Sequence, residues 1–418
     1  SKKIVYRLYF IFICITYILG LNIIPLVLQK GFNLLWVFAL IFLLISSIKA
    51  LSERVETSFV LLLFLIFMYF ICLSISRILN FTLYDSLKLS FFYGFCYFSL
   101  FIVFYNLKNF LKIHEFFKPF VFCSIIIVFI SLLIYAGFQP NFYFSDQEQL
   151  DSYIELKFGE GLIGFSGAYL NQNSFSIVLL ISIISIYVYT LTISEINKIY
   201  LKILYVFLGL SVLFLFLTIS RGAILSLAII LLLYLIKGYR SKSSFLIFFM
   251  LIILSVIVYL FFYQYVDFFI SRIENDGTSS RTEIWADAFN VFSDNVFFGV
   301  GEYRYMETNG VKLSAHNVYI NKLASEGIFS SFFWFSSIMV GIYYFFKKYL
   351  LFTFKSKVDI FLICSFLGVL VHQFFENTIA NTATSFAVFF IMLLILISSN
   401  KKIRWCFKKY AGIKRIHY

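Results

Sequence analysis

Charge is scarce in this chain. Asp, Glu, Lys and Arg make up 13% of its 418 residues, where a soluble domain carries about 25%. That scarcity excludes a soluble enzyme, a nucleic-acid binder and a disordered tail. The six cysteines (Cys14, Cys72, Cys96, Cys123, Cys364, Cys406) form no CxxC pair, and all but Cys406 lie inside apolar runs. They read as small buried hydrophobes rather than disulfides or metal ligands. The four histidines (His114, His316, His372, His417) are scattered, and no HExxH, DxD or GxSxG motif is present, so neither a metal centre nor a cofactor is expected. There is no repeat of 20–50 residues, and no pair of Gly/Pro-broken spans of the kind that marks inverted-repeat transporters.

Apolar side chains fill the space that charge leaves. Hydrophobic residues make up 61% of the chain, and runs of about 20 of them, the length needed to cross a bilayer, recur from end to end. The expected fold is an all-α polytopic membrane protein with about twelve transmembrane helices. Their approximate positions are 4–28, 32–50, 58–76, 87–106, 117–137, 174–193, 200–220, 222–237, 245–264, 328–346, 359–378 and 382–399. Ser1-Lys2-Lys3 has the charge order of a signal peptide, but no small-residue cleavage site follows, so the first run reads as a retained span.

The formal charge of +13 sits in short clusters between apolar runs, which is how topology signals look. With both termini cytoplasmic, about 24 of the 34 Lys and Arg fall inside, a bias that sets the orientation. Two outer segments are then too long to be turns. One covers 139–173 and is acidic; the other covers 265–327, between spans 9 and 10, and is expected to be helical in part. Loops on a rigid scaffold are where function concentrates.

Several residues there could carry chemistry. Ser220-Arg221-Gly222 interrupts the stretch from Leu201 to Ile236. Helix rise puts Arg221 about 28 Å from Lys202, one hydrocarbon thickness, so it lies at the outer boundary and slightly recessed. Such an arginine faces a polar cavity or an anion; the alternative is one that snorkels to the headgroups. Ser280-x-x-Glu283 is a capping box, and Ile284, Trp285, Ala288, Phe289 and Phe292 recur at helical spacing. An amphipathic helix over about 281–292 follows, with Arg281 in its first turn, where the helix N-terminus favours an anion. Pairing of Arg281 with Glu274 or Asp276 is the alternative.

Gly299-x-Gly301 follows no strand of a βαβ unit, so a dinucleotide site is rejected. His316 precedes a helical segment (Val318, Ile320, Leu323) closed by Glu326-Gly327. A histidine there tends to stay neutral, as a general base must, or it serves only as a hydrogen-bonding cap. Asn171 and Asn173 could bond sugar hydroxyls or cap a helix. His372 and Glu376 lie i,i+4 on one face of the eleventh span, either a functional pair or a mutually satisfied one. Aromatic residues near span ends are more often interface belts than sugar platforms.

The run Arg281…Trp285…Asn295…Phe298-Gly299-Val300-Gly301…Ala315-His316-Asn317…Glu326-Gly327, with Ser220-Arg221-Gly222 upstream, resembles the O-antigen ligase/polymerase superfamily over roughly residues 160–335. The family's Asn-Pro-Asn element stands here as Asn171-Gln172-Asn173, without the proline. The resemblance implies a bacterial inner-membrane glycosyltransferase that takes a glycan from undecaprenyl diphosphate and passes it to an acceptor hydroxyl on the periplasmic side. It implies that Arg221 and Arg281 bind the diphosphate, that Arg304 is a third candidate for the same anion, and that His316 accepts the hydroxyl proton. Asn171, Asn173, Asn317 and Trp285 are the expected glycan contacts. Implied partners are the undecaprenyl-diphosphate-linked oligosaccharide, as donor and acceptor, membrane lipid and a chain-length regulator protein.

Within the family a polymerase of O-antigen or capsular polysaccharide is favoured over a ligase that moves the finished chain to lipid A-core. That preference rests on analogy. A flippase or transporter would explain twelve spans but not the long outer loop with Arg281 and His316. A non-catalytic scaffold for polysaccharide assembly is the remaining alternative.

Overall fold

The computed structural model describes residues 2–19, 26–48, 55–81, 85, 90, 94–136, 165–169, 172–193, 197–238, 281–301, 306–308, 311–351, 356–376 and 384–398. The expected ninth span (245–264), Ser280, Asn171 and Arg304 lie outside the described residues. The described chain is helical almost throughout: α1 (Lys2–Leu19), α2 (Leu26–Ile48), α3 (Thr57–Asn80), α4 (Cys96–Phe110), α5 (Ile113–Tyr135) and α6 (Gln172–Thr192), then α7 (Lys198–Leu217), α8 (Arg221–Gly238), α9 (Arg281–Asp294), α10 (Val318–Leu351), α11 (Lys357–His372) and α12 (Ser385–Ser398). Five of these, α3, α5, α6, α7 and α10, are long and apolar enough to cross a membrane. The protein is a membrane protein.

Burial sorts the helices by role. All of α12 is buried, as expected of a helix that is apolar on every side and surrounded by others. It packs on α1, α3, α4, α6, α10 and α11. By contrast α3 and α7 each leave one face bare, with Val60, Phe64 and Phe67 exposed on α3 and Ile199, Ile203 and Val206 on α7. Such faces suit lipid, which is as apolar as they are.

One small element departs from the all-α expectation. Met306–Thr308 (β1) and Val311–Leu313 (β2) pair antiparallel, Met306 opposite Leu313 and Thr308 opposite Val311. The two intervening residues are Asn309-Gly310, the pair that two-residue hairpins favour because both positions tolerate positive φ.

The feature that shapes the end of the molecule carrying His316 is a break in α10. Gly327 has φ 72° and ψ 177°, which separates a short helix at 318–326 from the long one at 328–351. A break strands backbone groups that a continuous helix would pair. Here the segment following α9 takes them up. Val300 N–H donates to Ala324 C=O at 3.0 Å, and Gly301 N–H to Ser325 C=O at 2.8 Å. On the other side of the break, Ile328 N–H donates to Val296 C=O at 2.8 Å. This clasp brings backbone onto backbone, leaving no room for side chains. A Cβ on Gly299 (φ 65°) would stand 2.5 Å from the Ser325 carbonyl carbon, and one on Gly327 would overlap the Phe297 carbonyl. The Gly299-x-Gly301 and Glu326-Gly327 motifs are thus two halves of one joint. α3 is tied to the same joint, since Ser76 Oγ donates to Phe298 C=O and Asn80 Nδ2 donates to Gly299 C=O at 3.1 Å.

Gly327→Ala is expected to lower the thermal unfolding midpoint of detergent-solubilised protein by several degrees, from backbone strain of about 1–3 kcal/mol at this positive φ added to the carbonyl overlap. Gly209→Ala, where an added Cβ meets nothing within 4 Å, should leave the midpoint unchanged or slightly higher.

Candidate active site

The end of α6, α8, α10 and α11 that gathers around His316 is assembled from several local decisions. α7 stops at Leu217, whose carbonyl accepts from Phe165 N–H at 2.8 Å. Thr218-Ile219-Ser220 then turns the chain so that Arg221 is the first residue of α8. The turn is strained, because the β-branched Ile219 has φ 56°, a region such residues rarely enter. Gly222 lets α8 sit directly on α11's continuation: a Cβ there would stand 2.7 Å from Phe375 Cβ. Arg221, half-exposed, therefore opens a helix packed against the neighbour of Glu376.

Glu376 is the centre of the polar contacts. Its Oε1 accepts from Asn173 Nδ2, in the first turn of α6, at 2.6 Å. Its Oε2 stands 3.7 Å from His316 Nδ1, an ion-pairing distance longer than a hydrogen bond. The carboxylate side chain is 12% exposed and the imidazole 41%. A mostly buried acid thus backs a half-exposed histidine. His316 itself has φ 47°, so the only two non-glycine residues with positive φ among the described residues are this histidine and the one two positions before Arg221. Strain of about 1–3 kcal/mol per residue persists where surrounding structure over-determines it, and clusters at functional sites.

The segment around His316 is fixed on both sides. Asn317 caps the short helix of α10, its Oδ1 accepting from Tyr319 N–H at 3.0 Å and Ile320 N–H at 3.3 Å. Val318 N–H donates to Gln373 C=O at 3.0 Å, and Tyr319 Oη to Leu370 C=O at 2.9 Å, which docks this helix onto the end of α11. Ala315 N–H donates to Asn321 Oδ1 at 3.3 Å. Trp285 Nε1 donates to Ala315 C=O at 2.9 Å, so α9 is pinned beside the histidine. Ala288 of α9 is buried.

Set beside the sequence reading, the structure brings Arg221, His316 and Asn173 to one end of the bundle and begins α9 at Arg281, with α9 continuing to Asp294. One expectation changes. The i,i+4 pairing of His372 with Glu376 needs a helix running through both, but α11 ends at His372, and past the turn Glu376 meets His316 and Asn173. Asn317, expected as a glycan contact, is 3% exposed with its carbonyl oxygen committed to the cap, and the Trp285 indole N–H is committed to Ala315. What the spacing argument passed over is the role of Glu376 as partner of His316. The only signal for it was a carboxylate at the edge of an apolar run.

Comparison with known proteins gives one match. Residues 204–335 match the family model described as O-antigen ligase, a stretch that contains Arg221, Arg281, His316 and both halves of the glycine joint. The match makes these residues similar to the O-antigen ligase family, consistent with the O-antigen polymerase/ligase superfamily. No curated protein and no solved structure matches the chain.

Trp285→Phe deletes one hydrogen bond worth about 1 kcal/mol. Hydrogen exchange followed by mass spectrometry should show amides of residues 314–317 exchanging about fivefold faster, with α12 unaffected.

Proposed function

We propose that this protein is a polymerase of O-antigen or capsular polysaccharide in the bacterial inner membrane. It moves a glycan from undecaprenyl diphosphate to a sugar hydroxyl of a second lipid-linked repeat unit, at the periplasmic end of the bundle. The observation that carries this reading is the Asn173–Glu376–His316 relay beside the start of α8, inside and next to the stretch that matches the O-antigen ligase family.

In this reading each group has one task. Glu376 faces Nδ1 of His316, which leaves Nε2 as the atom that accepts the acceptor's hydroxyl proton. The hydroxyl oxygen attacks the anomeric carbon as the bond to the diphosphate oxygen breaks. The imidazolium that forms is stabilised by the buried carboxylate. Diphosphate needs no acid to depart, but its developing charge needs fixed cations. Guanidinium groups match phosphate oxygens in geometry and stay charged, and Arg221 and Arg281 supply them, with Arg304 as a third. Asn173 serves as the anchor of Glu376, while Asn317 and Trp285 hold the backbone around His316. Asn171 remains a glycan contact.

A ligase acting on lipid A-core is the second reading, favoured by the description of the matched family itself. A null strain separates the two. Single repeats on the carrier in a gel ladder indicate a lost polymerase; long chains left on the carrier indicate a lost ligase.

Electrostatic stabilisation at one such position is worth about 3–4 kcal/mol. Arg221→Ala and Arg281→Ala should therefore each lower turnover at least about a hundredfold while the protein elutes and melts as the parent does. Parental turnover in either variant removes that arginine from the mechanism. Glu376→Gln keeps the bond from Asn173 possible but removes the counter-charge, and orienting partners of this kind are worth about tenfold to a hundredfold. Single-turnover transfer from a lipid-linked donor measures it.

A further inference from the structure

A second polar cluster lies at the joint of α10, away from the groups assigned to chemistry. Lys322 is 3% exposed and Glu326 likewise 3%, on the short helix that begins beside His316. Lys322 Nζ donates to Glu326 Oε1 at 2.5 Å and to Tyr69 Oη at 2.6 Å. Tyr69 Oη donates in turn to Glu326 Oε1 at 3.3 Å, closing a triangle between α10 and α3. The same ammonium group stands 4.9 Å from the centre of the Tyr69 ring and 5.5 Å from that of Trp334. Arg77, 2% exposed in the last turn of α3, is another cation of this interface.

The placement relative to the break is what matters. Lys322 and Glu326 precede Gly327, Trp334 follows it, and Tyr69 belongs to α3. One side chain therefore touches both halves of the broken helix and the span that backs them. Burying an ion pair is rarely a gain in stability over apolar side chains of similar volume, so stability alone does not account for a lysine at this position. Geometry does. From Gly327 back to His316 is about 16 Å at 1.5 Å per residue. A 10° change at the joint would therefore displace the imidazole by about 3 Å, and misplacement by about 1 Å already costs about a hundredfold in rate.

We propose that Lys322 is a positioning residue: with Glu326, Tyr69 and Trp334 it sets the angle of the broken helix and so holds His316 in register with Glu376. The mechanical part stands on the contacts above, and its consequence for turnover rests on His316 being the base.

The test uses the full chain in detergent or nanodiscs. The double variant Lys322→Met/Glu326→Leu removes both members of the pair together, with Arg77 the cation that stays in the interface. It should remain folded, with a melting midpoint close to the parental one. Amides of residues 314–320, which include the Val318 bond to Gln373, should exchange at least about fivefold faster while α12 does not. For transfer, kcat should fall at least about tenfold with KM within about twofold. Tyr69→Phe, which removes only the hydroxyl, should shift exchange and kcat the same way by less, and serves if the double variant does not fold. Parental exchange at 314–320 in folded variants overturns the proposal whatever turnover does. Faster exchange with parental turnover upholds the staple and removes His316 from the role of base.

Discussion

A helix interrupted inside a membrane protein must find new partners for the backbone groups at the break, because lipid supplies none. That requirement organises the end of this molecule around His316. The carbonyls of Ala324 and Ser325 and the N–H of Ile328 are paired by the segment between Val296 and Gly301, and the pairing is possible only because glycines stand at 299 and 327. The clasp in turn fixes where α9 ends and where the short helix of α10 points. His316, Trp285 and the docking of α10 on α11 follow from it.

Around this joint the molecule concentrates unfavourable features and compensates each of them. Ile219 and His316 are held at positive φ, Glu376 is mostly buried, and Lys322 is almost wholly so. Each has a counterpart in the contacts: Phe165 on Leu217 before the Ile219 turn, Asn317 capping next to His316, Asn173 on Glu376, Tyr69 and Glu326 on Lys322. Polar groups in a dry interior are tolerable only when satisfied in this way.

Much of the fold was legible in sequence because lipid imposes a simple code of length and polarity. Most of the apolar runs coincide with helices, and α9 was readable from the spacing of Ile284, Trp285, Ala288, Phe289 and Phe292. Candidate residues could be picked out where a polar group breaks an apolar pattern, as Arg221 does, or stands before a helical run, as His316 and Asn173 do. Partnerships were not. Glu376 reads as a partner of His372 if the helix continues, and nothing local announces that α11 ends first. Lys322 and Arg77 look like ordinary helix residues until α3 is seen against α10. The β1–β2 pairing went unread because a search tuned to helical runs passes over strands of three residues.

The complete burial of α12 has a consequence for how the protein is made. Every helix it touches is translated before it, so those helices enter the bilayer around a slot whose occupant has not yet been synthesised. Until Ser385–Ser398 arrives, the inward sides of α4, α6 and α11 face lipid or one another. Final consolidation of the bundle is therefore a late step in biogenesis, and a ribosome stalled upstream of that segment leaves a bundle without its axis.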